Sequence, residues 1–310
     1  MRALIFPGQG SQAVGMAKDL AEAFPQARAV LDEVDAALGQ KLSTLMFEGP
    51  AEELTLTANA QPALMAASLA TLRVLEAERG LDLARDVTCV AGHSLGEYAA
   101  LAAAGSLTVT DAARLLRIRG EAMQAAVPPG AGAMAALIGT DVAAAHALAE
   151  EAAEGAVCDV ANDNGGGQVV LSGDRAAVER AVALASAKGI KRAVMLNVSA
   201  PFHCRLMAPA ARRMEEALAA VALQGPRVPL YANVTAAPVS DPDAIRAALV
   251  EQVTGTVRWR ESVAAMAEAG VTRFTELGAG KVLAGLVKRI AAGAQATSVG
   301  TPADVAAFAP

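Results

Sequence analysis

Aromatic residues make up only 3% of this 310-residue chain, which holds three histidines, three cysteines and a single tryptophan. So few aromatics leave little to stack on nucleic-acid bases. Lys and Arg (26) are outnumbered by Asp and Glu (32), giving a net charge of −6. Binding to a phosphate backbone needs clustered positive charge, so no nucleic-acid partner is expected. Cys89, Cys158 and Cys204 are odd in number and far apart. They suggest neither a disulfide framework nor a zinc site, and a reduced cytoplasmic protein without a bound metal is expected. Hydrophobic residues reach 54%, inflated by alanine, yet no run approaches the roughly 18 apolar residues of a membrane span. The run Ala3–Phe6 stops at Pro7-Gly8, too short for a signal-peptide core.

What is present centres on residues 87–97, Val-Thr-Cys-Val-Ala-Gly-His-Ser-Leu-Gly-Glu. A β-leaning apolar segment runs into Gly-X-Ser-X-Gly, and an Ala- and Leu-rich helical segment follows as far as Gly105. This is the layout of a nucleophile elbow, with Ser94 on a tight strand-to-helix turn. A Cβ at Gly92 or Gly96 would collide with the neighbouring strand or helix. The following helix aims its free N–H groups and positive dipole end at the serine, where developing negative charge would be stabilised. The plainer alternative is a strand-to-helix turn with Ser94 as N-cap.

At this length the chain supports two domains, or one with an insertion. Arg2–Phe6 reads as a strand and Pro7–Gln12 as a Gly-rich loop. That loop lacks the Gly-Lys-Ser/Thr of a phosphate-binding Walker sequence, and the Gln9 amide could instead face Ser94 across adjacent strand ends. Helices are expected at 19–38 and 61–79, the latter with Pro62 in its first turn. Another is expected after Thr110 as N-cap. That helix carries Arg114, Arg117 and Arg119, and one arginine could reach the site from a helix packed beside the elbow; Arg114 and Arg117 are read as solvated. From residue 127 the pattern becomes strand (133–138), helix (141–153), strand (157–161), a turn over 162–167, strand (168–171), helix (175–188), strand (192–196). This β-α-β-β-α-β order is that of a ferredoxin-like unit. Residues 127–198 are therefore expected to form a small domain inserted between 1–126 and 199–310. The second part of the large domain reads as a strand at 228–233, helices at 243–253 and 259–269, a strand at 273–276 and a last helix after Lys281. Strands alternating with helices imply a mostly parallel sheet covered on both faces.

A nucleophilic serine needs a base. His93 adjoins Ser94, and neighbouring side chains diverge in a sharp elbow. His146 sits in the middle of an expected helix, as a surface or packing residue. By elimination His203, in a proline-containing loop, is the candidate; the alternative is a structural histidine. Asp111 and Asp163 are candidates for the acidic third residue of a hydrolase, but neither sits in a recognisable strand-end loop, which leaves room for a backbone carbonyl as the group that orients the imidazole.

Taken together, Phe6–Gln12, Gln61–Leu64, Gly92–Glu97, Arg119-Gly120, Asn162–Gln168, Ser199–Cys204 and Glu276–Lys281 give a chain that resembles the malonyl-CoA:acyl-carrier-protein transacylases, acyltransferases of bacterial fatty acid synthesis. The resemblance implies a hydrolase-like α/β domain with a ferredoxin-like insertion. It implies Ser94 as nucleophile, His203 as base, the N–H groups of Gln9 and Leu95 as oxyanion hole, and the main-chain carbonyl of Gln252 as orienter of His203. Arg119 would bind the free carboxylate of malonate, because a guanidinium fork matches it. Met123, Asn162, Gln168, Phe202 and Gln61 would line the substrate site, Phe202 favouring malonyl over bulkier acyl groups. Malonyl-CoA and acyl carrier protein are the implied partners, in a ping-pong reaction without metal or cofactor, on a monomer. Lys191-Arg192 and Lys288-Arg289 are candidates for docking the acidic carrier protein. The rival reading is a serine esterase or thioesterase of the α/β-hydrolase type.

Overall fold

The computed structural model describes all 310 residues. Its ten strands are β1 (Arg2–Phe6), β2 (Cys89–Gly92), β3 (Gly132–Ile138), β4 (Cys158–Gly165), β5 (Gln168–Asp174), β6 (Arg192–Met195), β7 (Leu230–Tyr231), β8 (Pro238–Val239), β9 (Arg273–Leu277) and β10 (Gln295–Val299). Six form one sheet in the order β10-β9-β1-β2-β7-β8, parallel except for the final β7–β8 pair. The other four form a separate antiparallel sheet, ordered β4-β5-β3-β6.

The central parallel strands β1 and β2 are apolar on both faces from Ala3 to Phe6 and Cys89 to Gly92, because helices cover both. Alternation along β1 and β2 divides their side chains. Leu4, Phe6 and Val90 join the largest core, while Ala3, Ile5, Cys89 and Ala91 point into a second. The antiparallel sheet sends Ala133, Ala135 and Leu137 into a third core, shared with the helices Val142–Ala153 and Arg175–Ala185. Its opposite face, with Met134, Ala136 and Val170, packs into the largest core. No helix is long and apolar enough to cross a membrane.

Several boundaries differ from the sequence reading, each for a local reason. Pro25 splits the expected 19–38 helix into Lys18–Ala23 and Pro25–Leu38. Pro62 lies inside a helix that begins at Thr57, a turn earlier than expected. Thr108, not Thr110, caps the next helix, its hydroxyl accepting from the Asp111 N–H. Asn162 to Gly165 are not turn but the end of β4, irregularly paired with β5, and the tight turn falls on Gly166 and Gly167. The expected 228–233 strand keeps only Leu230 and Tyr231, since the Asn233 N–H leaves the sheet for the Glu97 carboxylate. Beyond the expected last helix come β10 and a helix at Pro302–Ala307.

What this fold does for the site is set by β1 and β2. They are parallel neighbours, with Phe6 opposite Gly92, so the loop carrying Gln9 and the turn carrying Ser94 leave adjacent strand ends on the same edge. The turn is close-packed. A Cβ on Gly92 would lie 1.9 Å from the Gly96 carbonyl carbon, and one on Gly96 would lie 2.3 Å from the Phe6 oxygen.

Candidate active site

Ser94 adopts φ 54° and His203 φ 57°, both in the left-handed region that non-glycine residues rarely occupy. Such strain persists only where surrounding contacts impose it. Here it brings Ser94 Oγ to 2.7 Å from His203 Nε2. On the other side of the imidazole, Nδ1 donates to the Gln252 main-chain carbonyl at 2.8 Å. With that carbonyl as acceptor, the proton sits on Nδ1 and leaves Nε2 free to accept from the serine hydroxyl. His93 turns away from the pair and bonds Asn164 Oδ1 at 2.8 Å, its ring tilted against Trp259. His146 is exposed.

Burial, and then the charge of Arg119, hold the His203 imidazole down at about 3, against the pull of the Gln252 carbonyl. An unfolded chain takes up this proton near pH 6.5, the native one only near 3. The unfolded state therefore binds more protons between those values. The stability tied to neutral His203 is whole above about 6.5 and is lost as pH falls towards 3. The variant His203→Asn tolerates the left-handed backbone and removes the titration. Urea midpoints at pH 7 and pH 5 should show the advantage of wild type over this variant shrinking by up to about 1.4 kcal/mol per pH unit. An advantage independent of pH would show that His203 keeps ordinary basicity.

Arg119 is the third member of the cluster. It is 1% exposed and donates to Gln61 Oε1 (2.8 Å), Gln252 Oε1 (2.7 Å) and Ser94 Oγ (3.1 Å). Its guanidinium carbon lies 5.8 Å from the centre of the Tyr98 ring. Every protein oxygen in contact with it is uncharged, although buried cations are normally paired with carboxylates. Arg114 is exposed, as expected; Arg117 is half-buried and bonded to Asn59 and Gln40.

These groups open into a cavity of about 320 Å³ lined by Gln9, Gln61, Ser94, Leu95, Arg119, Met123, Asn162, Phe202 and His203 among others. The N–H groups of Gln9 and Leu95 have no acceptor within the protein, and both residues border the cavity beside Ser94. Asn162 is turned in by the irregular pairing of β4 between Val160 and Asn162. Gln168 is the expected lining residue that the structure places elsewhere. It begins β5 and borders a separate cavity with Gly139, Lys188 and Arg260; the turn at Gly166-Gly167 carries it away from Ser94. Lys191, Arg192, Lys288 and Arg289 are exposed.

Three polar groups of the site carry no role in the sequence reading. Thr57 donates to Gln9 Oε1 (3.0 Å) and accepts from Gln61 Nε2 (2.9 Å). Asn233 Oδ1 accepts the Ser94 N–H at 2.8 Å. Glu97, 1% exposed, lies under the elbow against Asn233 and Gln252. Burial raises its carboxyl well above the carboxylate range, opposed by the Asn233 N–H, the Gln252 amide and the Arg119 charge. The only signal for Glu97 is its place immediately after the elbow; Thr57 and Asn233 have none.

The acyl transferase domain family matches residues 3–306. The malonyl CoA-acyl carrier protein transacylase of Escherichia coli strain K12 is 48% identical over 305 residues, covering 98% of this chain and 97% of its own. Among solved structures, the acyl-carrier-protein-S-malonyltransferase of Bartonella henselae is 57% identical with a TM-score of 0.97, covering 99% of this chain and 97% of that one. A malonyl-transacylase solved in complex with its type II PKS acyl-carrier protein is 42% identical with a TM-score of 0.94, covering 98% and 97%.

Proposed function

The chain belongs to the acyl transferase domain family, and on that footing we propose that it carries the malonyl group from malonyl-CoA to the phosphopantetheine thiol of an acyl carrier protein by way of Ser94. The relatives named above for that reaction support the reading. Ser94 Oγ attacks the thioester carbonyl while His203 Nε2 takes its proton. The CoA thiolate leaves with that proton, and a malonyl ester remains on Ser94. The carrier thiol then gives its proton to the same nitrogen and attacks the ester; Ser94 Oγ leaves with that proton and the malonyl group departs on the carrier sulfur. The N–H groups of Gln9 and Leu95 receive the oxyanion of both tetrahedral intermediates. The Gln252 carbonyl keeps the imidazole in the working tautomer. None of these steps calls for a metal or a redox cofactor.

Arg119 is the observation that carries the malonyl assignment. A buried guanidinium 3.1 Å from the nucleophile, held only by neutral oxygens, suits a substrate that brings its own carboxylate. An esterase for neutral acyl groups gains nothing from it. Met123, Asn162, Phe202 and Gln61 form the remaining wall, with Phe202 restricting bulk beside the acyl carbon.

We read 1–126 and 199–310 as a hydrolase-like domain and 127–198 as a ferredoxin-like insertion. The β-α-β-β-α-β succession, the sheet order β6-β3-β5-β4 and a separate apolar core support this division. Lys191, Arg192, Lys288 and Arg289 are proposed to meet the acidic carrier protein. Lys191 packs on Gly139 and Arg289 on Gly166, and the Gly139 N–H donates to the Gly167 carbonyl at 2.7 Å. Basic residues distant in sequence thus flank a single turn.

The test is intact-protein mass spectrometry after brief mixing with malonyl-CoA, with acetyl-CoA in a parallel sample. A malonyl-sized gain that vanishes when holo-carrier protein is added is expected. Equal labelling by acetyl-CoA would remove the role given to Arg119, and no labelling would remove the transferase reading.

A further inference from the structure

The strained backbone of Ser94 is gripped from below by side chains. Its N–H donates to Asn233 Oδ1 at 2.8 Å, and its carbonyl accepts from Gln252 Nε2 at 2.9 Å as well as from the Glu97 N–H at 3.0 Å. Asn233 is tied down in turn, its Nδ2 donating to the Gly92 carbonyl at 2.7 Å. Both clamping residues converge on one carboxylate. The Asn233 N–H donates to Glu97 Oε1 at 2.6 Å, and Gln252 Nε2 donates to Glu97 Oε2. Asn233 and Gln252 have no solvent exposure and Glu97 only 1%, so no water can substitute for a lost partner.

We propose that Glu97 is a positioning residue for both the nucleophile and the substrate-reading arginine, acting through Asn233 and Gln252. The Gln252 amide links the two, because its contacts allow only one orientation. Its nitrogen faces Ser94 O and Glu97 Oε2, and its oxygen faces Arg119 Nη2 at 2.7 Å. Reversed, the amide would set oxygen against two oxygens and an NH₂ against a guanidinium. Glu97 supports the working orientation only while both its oxygens accept. A side chain of the same shape with an NH₂ in place of either oxygen sets a donor against the Asn233 N–H or the Gln252 NH₂, which are both donors. Glu97→Gln makes that change with hardly any change in volume. It therefore loosens the elbow, and it takes from Arg119 one of the two glutamine oxygens that aim its fork.

This inference depends on the malonyl-transfer reading, and the experiment separates the two. Acylation of Ser94 is timed by quenched-flow mass spectrometry with malonyl-CoA and with acetyl-CoA, in wild type, Glu97→Gln, Gln252→Ala and the double variant. Failure of wild type to label would sink the transfer reading alone, before Glu97 is tested. If wild type labels, Glu97→Gln should lower malonyl acylation on the order of 10²-fold, the effect expected of an ångström-scale misplacement of reacting groups. Acetyl acylation should fall less, because acetyl makes no use of Arg119. The double variant should be no worse in malonyl-to-acetyl ratio than Gln252→Ala, because both changes cut the same link. An unchanged rate in folded Glu97→Gln, an equal fall with both substrates, or ratio effects that multiply in the double variant would each overturn the proposal. Should Glu97→Gln not fold, Gln252→Ala alone must lower the malonyl-to-acetyl ratio, and an unchanged ratio would overturn it equally.

Discussion

Ser94→Ala is expected to abolish the malonyl adduct outright, and His203→Ala to slow its formation by about 10³–10⁴-fold. The two effects differ because the two residues do different things. Without Oγ there is no atom to hold the acyl group. Without the imidazole the hydroxyl remains, as do the Gln9 and Leu95 N–H groups, but a serine hydroxyl at its ordinary acidity is a weak nucleophile. The geometry gives His203 no substitute. His93, the only other histidine in the cavity wall, is committed to Asn164 at 2.8 Å, and Arg119 cannot accept a proton. Quenched-flow mass spectrometry of Ser94 under single turnover would check both variants. A His203→Ala protein that labels within tenfold of wild type would show that the 2.7 Å contact is not the path of the proton. The acid limb of the wild-type rate should also lie well below the ordinary imidazole value near 6.5, since burial and Arg119 keep His203 neutral down to about 3.

The parts of this site legible in the sequence are those whose chemistry leaves a local pattern. Gly92 and Gly96 bracket Ser94 because the chain turns on itself there, and the close approaches to Gly96 and Phe6 are the physical form of that pattern. Among three histidines, elimination leads to His203. The strand order 132–195 reads directly because each element is short, apolar and bounded by turn residues. What escaped is what depends on contacts between distant segments. Asn233 sits at the end of an expected strand, and nothing local says that it will leave the sheet to take the Ser94 N–H. The 162–167 segment is rich in Asn and Gly, the composition of a turn, yet pairing with Val169 and Val170 draws its first half into β4. That pairing sends Asn162 into the cavity and Gln168 out of it. Strand β10 is an edge strand of mixed polarity, joined to the sheet only through β9, and a short polar segment of that kind carries little periodic signal.

Arg119→Ala should lower malonyl acylation by about 10²–10³-fold, or roughly 3–4 kcal/mol, while acetyl acylation stays level or rises. The magnitude follows from burial. A guanidinium with 1% exposure is already stripped of water, so a carboxylate that reaches it gains nearly the full charge-assisted interaction. An acetyl group leaves the cation without a counter-charge, and the wild-type protein therefore disfavours it. Removing the cation removes both the attraction and the penalty. Two side effects need a control, since Gln61 and Gln252 each lose a donor and His203 loses a positive neighbour that lowers its basicity. Arg119→Lys answers this. It keeps the charge but, as a point donor on a flexible stem, cannot hold two oxygens and a substrate carboxylate in one plane. It should restore part of the malonyl rate and leave the acid limb near that of wild type, whereas Arg119→Ala shifts that limb upward. If malonyl and acetyl rates fall together in Arg119→Ala, the residue is a structural support of the elbow, and substrate choice must come from the cavity wall around Phe202 and Met123.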